Sequence, residues 1–359
     1  MLSGQVTHDG WTIGRLVQKE SYQTGGNFSV GYLVEHPDGR AGFLKALDFR
    51  RALRASDMLR ELEGMTRSYN FERDVLALCR GENLSRVVVA IADGELTVPD
   101  APMGRISYLI FELADGDVRK HATFSNSFDC VWSLRALHHV CTGVAQLHSR
   151  GVFHQDVKPS NILIFGDDNV SKLADLGRAH CTTIGAPHDH LLMAGVQYYA
   201  PPEHLYNFHL PDHLMARAAA DLYLVGSMLH YFFMGTMITP SLLDNMRPEH
   251  KPMVLARDDS GWGGDFEGAL PYVADAFAQT VDDFRRVVEA KMTESGIPKG
   301  SEELVSFLTY LCEPDPRLRG HPGERKDRAA DHYSMRRFVS AFDRLATSAE
   351  IAFRRKNAN

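Results

Sequence analysis

After Asp115-Gly116 the apolar residues of this chain change their spacing, and that change divides its 359 residues into two unlike parts. Before it, short apolar stretches at residues 11–13, 30–34, 42–46, 86–91 and 106–113 are bounded by Gly, Pro and Asp, as strands are. His36-Pro-Asp-Gly39 is a strong hairpin turn between the second and third. Residues 50–79 interrupt them with a helical pattern built on Leu53, Met58, Leu62, Val75, Leu76 and Leu78. After the change, residues 128–148 place Val131, Leu134, Leu137, Val140, Val144 and Leu147 at helical spacing. A short strand pair follows at 162–165 and 172–174, then helices at 215–234, 273–292 and 302–312 and a long amphipathic one at 333–355. Residues 240–268, rich in Pro, Gly, Asp and Met, read as an irregular insertion. Strands gathered in one part and helices in the other predict an α+β chain of two lobes. The first, β-rich lobe covers 11–114 after an extension at 1–10. The helical lobe covers 115–345 with an insertion near 236–270, and 346–359 form a helix end and tail.

Composition narrows the setting. A net charge of −7 disfavours a general nucleic-acid binder, which needs cations against phosphates. Cys79, Cys130, Cys141, Cys181 and Cys312 are odd in number and lack a C-x-x-C spacing, so reduced thiols in a cytoplasmic protein are expected. The N-terminus shows no basic-then-apolar leader. No apolar run reaches the roughly 18–20 residues that span a bilayer; the longest, 222–238, is broken by Gly226, His230 and Gly235. A soluble chain without membrane or nucleic-acid partners is the expectation, its oligomeric state open.

The densest chemistry is His154-Gln-Asp-Val-Lys-Pro-Ser-Asn161. Phosphoryl transfer asks for metal ions, a cation near the phosphates and an aligned hydroxyl. Asp156 can orient a hydroxyl and accept its proton, and Lys158 can stabilise charge on the moving group. Asn161 offers a carbonyl oxygen, a hard ligand for Mg²⁺. Asp175, in Asp175-Leu-Gly177 after a strand, can hold the bridging metal.

These residues resemble motifs of the eukaryotic-type protein kinase family, and the likeness covers roughly residues 11 to 345. The segment 154–161 is similar to H-R-D-x-K-P-x-N, and Asp175-Leu-Gly177 to D-F-G. Gly195-Val-Gln-Tyr-Tyr-Ala-Pro-Pro-Glu203 resembles the end of the activation loop, and Asp221-Leu-Tyr-Leu-Val-Gly226 the start of the central helix. In Asp315-Pro-Arg-Leu-Arg319 the resemblance implies that Arg319 pairs with Glu203. It further implies a bilobed kinase fold, ATP and Mg²⁺ as cofactors, a protein substrate, and Lys45 gripping the α- and β-phosphates. Glu72 is the best-placed partner of Lys45, with Glu61 and Glu63 as rivals. Residues 111–114 resemble the hinge that meets adenine, placing Glu112 and Ala114 at the nucleotide. Asp117 stands either at the ribose or as a plain turn residue. His154 is expected to pack with Leu76 and Leu176, and His188-Asp-His190 reads as loop histidines rather than a metal pair.

Four departures sharpen the reading. In Thr24-Gly-Gly-Asn-Phe-Ser-Val-Gly-Tyr32 only Gly26 keeps a family glycine, so Gly26 and Phe28 would approach the phosphates through a reduced glycine loop. Phe43 and Gly31 exchange the family's small and large residues; either volume is preserved, with Phe43 covering adenine from above and Leu163 from below, or the strand register is locally shifted. Gln155 replaces the arginine that binds an activation-loop phosphate, which predicts activity without such phosphorylation, although Thr182, Thr183, Tyr198 and Tyr199 lie in that loop. Val196 replaces a threonine that often seats the acceptor, while Lys158 still favours serine/threonine chemistry. The expected function is therefore a serine/threonine protein kinase. The alternatives are a nucleotide-binding pseudokinase scaffold and a small-molecule kinase of the aminoglycoside-phosphotransferase type.

Overall fold

The structure, a computed structural model, describes residues 2–17, 29–50, 52–99, 101, 103–124, 128–191, 195, 197–255, 261–326 and 331–358. The first lobe is an antiparallel sheet of β1 (Thr12–Val17), β2 (Ser29–Glu35), β3 (Ala41–Leu47), β4 (Ala90–Thr97) and β5 (Arg105–Glu112), in the order β1-β2-β3-β5-β4. The β2–β3 turn closes as expected: the His36 amide donates to Arg40 O at 2.9 Å, and Gly39 takes φ 89°, where a side chain is strained. Alternation along β3 divides its residues between two faces. Leu44 and Ala46 enter a core with Trp11, Ile13, Tyr32, Val34 and Tyr108, while Phe43 and Lys45 face the cavity between the lobes. Helix α1 (Met58–Gly81) begins where the Asp57 carboxylate accepts the Arg60 amide at 3.1 Å, and it buries Phe71, Glu72, Val75, Leu76 and Cys79. It starts later than the helical pattern from residue 50 suggested; residues 52–54 form a separate 3₁₀ turn.

The strand expected at 86–91 belongs to two different pairings. Residues 86–88 cross to the second lobe, where the Val88 amide donates to Leu173 O at 2.7 Å and the Leu173 amide to Arg86 O at 2.9 Å. The first-lobe strand then runs on to Thr97 through Asp93, Gly94 and Glu95, residue types that strands ordinarily lack. β4 is an edge strand paired on one side alone; Glu95 is exposed and Asp93 half-buried. Gly94 is required there: a Cβ would lie 2.6 Å from the Tyr108 hydroxyl.

The second lobe opens with β6 (Gly116–Asp117) and α2 (Val118–Phe124), followed by α3 (Cys130–His148), which Asp129 caps. Then come β7 (Val152–Phe153), β8 (Ile162–Phe165), β9 (Val170–Leu173) and β10 (His180–Cys181). β6, β8 and β9 form a small sheet; β7 pairs with β10. The remaining helices are α4 (Pro202–Leu205), α5 (His213–Met234), α6 (Ile238–Asp244), α7 (Phe266–Glu294), α8 (Gly300–Cys312), α9 (Pro322–Lys326) and α10 (Arg336–Asn357). α5 runs through the core, capped by Asp212 and stopped by Gly235 at φ 79°. No single helix among the described residues is long and apolar enough to cross a membrane.

The irregular stretch expected at 240–268 begins within one helix and ends within another. Pro240 lies in the first turn of α6, where its missing amide is harmless, and Asp265 caps α7 by accepting the Gly268 amide at 2.8 Å. Residue types that read as loop are here the starts of helices. α10 closes the lobe against α3: Phe338, Phe342, Leu345 and Ala346 are buried, and Arg135 reaches Asp343 and Glu350 at 2.6 Å each.

Candidate active site

A cavity of about 350 Å³ lies between the lobes, within the size range of small-molecule sites. Its walls collect residues far apart in sequence: Phe43 and Lys45 of β3, Glu72 of α1, the 112–114 connection, Asp117, Asn161, Leu163 and Asp175.

Lys45 Nζ donates to both Glu72 oxygens, at 2.7 and 2.9 Å, and stands 3.6 Å from Asp175 Oδ1. The rivals fall elsewhere on α1. Glu61 lies in its first turn, and Glu63 is exposed and pairs with Arg67 at 2.6 Å. Burial opposes the Lys45 charge, but the Glu72 and Asp175 carboxylates outweigh it and hold its pKa above the ordinary lysine range. In turn the Lys45 ammonium holds the Asp175 carboxyl below the usual carboxylate range, against its burial. Asp175 sits at φ 65°, a left-handed backbone that turns its carboxylate toward Lys45.

The 154–161 segment is held by its own hydrogen bonds. Lys158 Nζ donates to Asp156 Oδ2 at 2.7 Å, and Asn161 Nδ2 donates to the same oxygen at 3.0 Å and to Asp156 O at 2.9 Å. Asp156 Oδ1 makes no hydrogen bond among the described residues. Gly195 keeps it open: a Cβ at 195 would lie 3.2 Å from Oδ1 and 2.6 Å from Gln155 O. Because the Asn161 NH₂ is committed to Asp156, its carbonyl oxygen is the atom left for a cation, shared with a Ser160 hydroxyl 3.3 Å away. Among the described residues no three His, Cys, Asp or Glu cluster to hold a metal. Asn161 and Asp175 both line the cavity and carry oxygens, the donor type that Mg²⁺ takes. His188 is buried and its Nε2 donates to Ala179 O at 3.0 Å, consistent with a loop histidine.

His154 is wholly buried. Its Nδ1 accepts the Asp156 amide at 3.3 Å, so Nε2 carries the proton and donates to Ala174 O at 3.1 Å. Leu76 and Leu176 lie in the same hydrophobic core cluster that surrounds this segment. The Asp221 carboxylate accepts the amides of His154 (2.8 Å) and Gln155 (2.7 Å) and the His148 ring at 2.8 Å. Arg319 meets Glu203 with two parallel bonds of 2.7 and 2.8 Å, both side chains buried.

At the first-lobe wall of the cavity, the Phe43 ring lies over Gly31, where a Cβ would meet its Cζ at 2.5 Å. Gly31 pairs with Lys45 and Leu33 with Phe43, so Gly31 and Phe43 are diagonal neighbours on one face. Leu163 is on the opposite strand pair and lines the same cavity. Past Glu112, the last residue of β5 in register with β3, Leu113 and Ala114 border the cavity until the Asp115 amide bonds Ile164 O at 2.9 Å. The Glu112 side chain itself pairs with Lys172 at 2.5 Å. Asp117 lines the wall, but its carboxylate caps α2, accepting the Arg119 and Lys120 amides (2.9 and 3.2 Å) and the Arg119 guanidinium (2.7 Å). Thr24, Gly26, Phe28 and Val196 lie outside the described residues.

Sequence reasoning passed over Val88, which lines the cavity where the chain crosses between lobes, and the roles of Gly195 and Arg217. Arg217 carried a signal: a lone cation in the apolar run 214–234, one helical turn before Asp221.

A sequence-family model described as protein kinase domain matches residues 26–326. Cyclin-dependent kinase-like 2 of Mus musculus is 26% identical over 227 residues, 59% of this chain and 35% of that protein. Serine/threonine-protein kinase PLK4 of Drosophila grimshawi is 32% identical over 136 residues, 37% of this chain and 17% of that protein. Cyclin-dependent kinase B1-1 of Arabidopsis thaliana is 35% identical over 86 residues, 21% of this chain and 27% of that protein. The matched part is thus about a third or less of the length of these relatives.

Proposed function

Because the chain belongs to the protein kinase domain family, we propose that it transfers the γ-phosphoryl group of ATP to serine or threonine hydroxyls of protein substrates, without prior phosphorylation of its activation loop. The observation that carries this reading is that the Lys45–Glu72 ion pair, Asn161 and Asp175 border one cavity, with Asp175 reaching Lys45 and Asn161 bonded to Asp156 beside Lys158. Magnesium, when bound, supplies neutralisation of phosphate charge, and Asn161 and Asp175 would hold it. Lys158 and Asn161 occupy Asp156 Oδ2, so the carboxylate is oriented with Oδ1 toward an incoming hydroxyl. Lys45, fixed by two bonds to Glu72, presents a positive charge to the phosphates. Phe43 and Leu163 supply apolar faces for adenine, and the main chain at Leu113 and Ala114 supplies its polar contacts. All five cysteines are free and buried, which supports a reducing, cytoplasmic setting.

Wild type and Asp156→Ala, offered labelled ATP with protein and with small-molecule acceptors, test the reading. Transfer to serine or threonine of protein, reduced by about 10²–10⁴ in the variant, is expected for loss of a positioned base. Undiminished transfer in Asp156→Ala, transfer to small molecules alone, or nucleotide binding with no transfer would each overturn it.

A further inference from the structure

Gln155 carries no charge with which to hold a phosphate, yet its side chain is buried and fully engaged. Its backbone is left-handed at φ 62°, which turns Nε2 onto Asp221 Oδ1 (3.0 Å) and Arg217 O (2.9 Å). Its Oε1 faces Arg217, 3.4 Å from one guanidinium nitrogen. The other terminal nitrogen of Arg217 reaches out of α5 to the carbonyls of Leu191 (3.1 Å) and Asp189 (3.4 Å), in the segment that follows Asp175. Arg217 is buried, and no carboxylate among the described residues forms an ion pair with it. A buried cation with no direct ion pair is costly unless fixed dipoles surround it, and the Asp189 and Asp221 carboxylates favour its charge only from farther off. Here those dipoles are one amide oxygen and two main-chain carbonyls.

The carbonyls belong to a closed turn. The Asp189 amide donates to Ala186 O at 3.2 Å, the Leu191 amide to His188 O at 2.9 Å, and Asp189 Oδ2 accepts the Ala186 amide at 2.8 Å. Asp189 Oδ1 meets the His180 ring at 2.7 Å, and His188 sets its ring edge-on against Phe71, 5.5 Å between centroids. Phe71 precedes Glu72 on α1, so this turn ties β10, the helix bearing the Lys45 partner, and α5 together.

We propose that Arg217 is the positioning residue of the activation segment: a permanent cation delivered from α5 that grips the Asp189 and Leu191 carbonyls, in place of a phosphate gripped by an arginine at position 155. The inference rests on the reading of the chain as an active kinase. A carbonyl is present in every copy of the chain and a phosphate only after modification, so this grip is constitutive. It also accounts for Gln155: an arginine there would set a second buried cation beside the Arg217 guanidinium, whereas glutamine offers it an acceptor.

The test uses full-length protein freed of phosphate and checked by mass spectrometry, as wild type, Arg217→Met and Arg217→Lys. In Arg217→Met, amide hydrogen exchange at Ala186, Asp189 and Leu191 is expected to rise about tenfold or more, the scale of a lost charged hydrogen bond. Exchange in α3 should stay unchanged. kcat should fall by a similar factor at constant KM for ATP, and Arg217→Lys should recover part of both. Wild-type exchange and kcat in Arg217→Met, or exchange rising equally in α3, would overturn the proposal. If wild type proves inactive, or Asp156→Ala stays active, the kinase reading fails instead, and the exchange measurement still decides whether Arg217 holds the turn.

Discussion

Phe43 and Gly31 invite a double-mutant cycle, because each explains the other. Gly31→Val places a Cβ 2.5 Å from Phe43 Cζ and 2.6 Å from Cε2, well inside contact distance. The ring is the free end of a side chain and can swing, so the strain is relieved by moving the ring off its place over the cavity. Phe43→Ala removes the same ring outright. If the ring covers roughly 60 Å² of adenine at about 25 cal/mol per Å², its loss removes ~1.5 kcal/mol. Offset stacking adds about 0.5–1.5 kcal/mol. The sum, about 2–3 kcal/mol, corresponds to a nucleotide Kd roughly 30- to 150-fold weaker in Phe43→Ala. Gly31→Val should weaken binding by about tenfold through the displaced ring. The double variant restores a large residue on β2 against a small one on β3, so its volume is conserved and its Kd should return to within about fivefold of wild type. Titration with a fluorescent ATP analogue, with and without Mg²⁺, measures all four proteins. A wild-type Kd in Phe43→Ala would refute the roof. Additive losses in the double variant would refute the exchange of volume, since independent sites add and coupled ones do not.

Other outcomes follow from the same geometry. Arg319→Met leaves the Glu203 carboxylate buried without its partner and should cost about 3–5 kcal/mol by denaturant titration; a loss below about 1 kcal/mol would contradict the pairing. Burial pushes the His139 pKa down to about 3 and that of His230 down to about 4, so both are neutral in the fold. The unfolded chain protonates them below about pH 6.5. Stability is therefore complete at neutral pH, begins to fall as pH drops through that value, and continues to fall to about pH 4, by about 2–3 kcal/mol per pH unit for the pair. His139→Gln should remove about half of that slope, and an unchanged slope between pH 6 and 5 would disprove its origin. Glu72→Gln should weaken the fixation of Lys45 and lower kcat by about 10²-fold, the scale of a lost positioning contact; undiminished turnover would remove Glu72 from the site. Phosphatase treatment should leave kcat unchanged, and abolished activity would show that Gln155 does not mark independence from loop phosphorylation.

Much of the site was legible because it is local. Asp156, Lys158 and Asn161 lie within one short segment, and the bonds joining them span two to five residues, so the order of residue types nearly dictates the cluster. The Gly31–Phe43 exchange was legible for a similar reason: a tight hairpin sets the register, and register fixes which side chains are diagonal neighbours. Strand content was less legible. β4 contradicts its own composition because an edge ladder, not propensity, holds it, and Pro240 and Asp265 read as loop residues when they are helix starts.

The sequence by itself determined which functional groups the chain carries and which short segments arrange them. Tertiary structure decided which distant groups meet. Glu61, Glu63 and Glu72 are equivalent letters on one helix, and Glu72 faces Lys45 because Phe71, Val75 and Leu76 turn that side of α1 into the core. Asp117 borders the cavity, but the start of α2 claims its carboxylate. Arg217 lies 62 residues from Gln155, and only the packing of α5 beneath the catalytic segment brings the two together. The physical reason is that short-range hydrogen bonds follow from covalent spacing, whereas the partner of a buried charge is set by how whole elements pack.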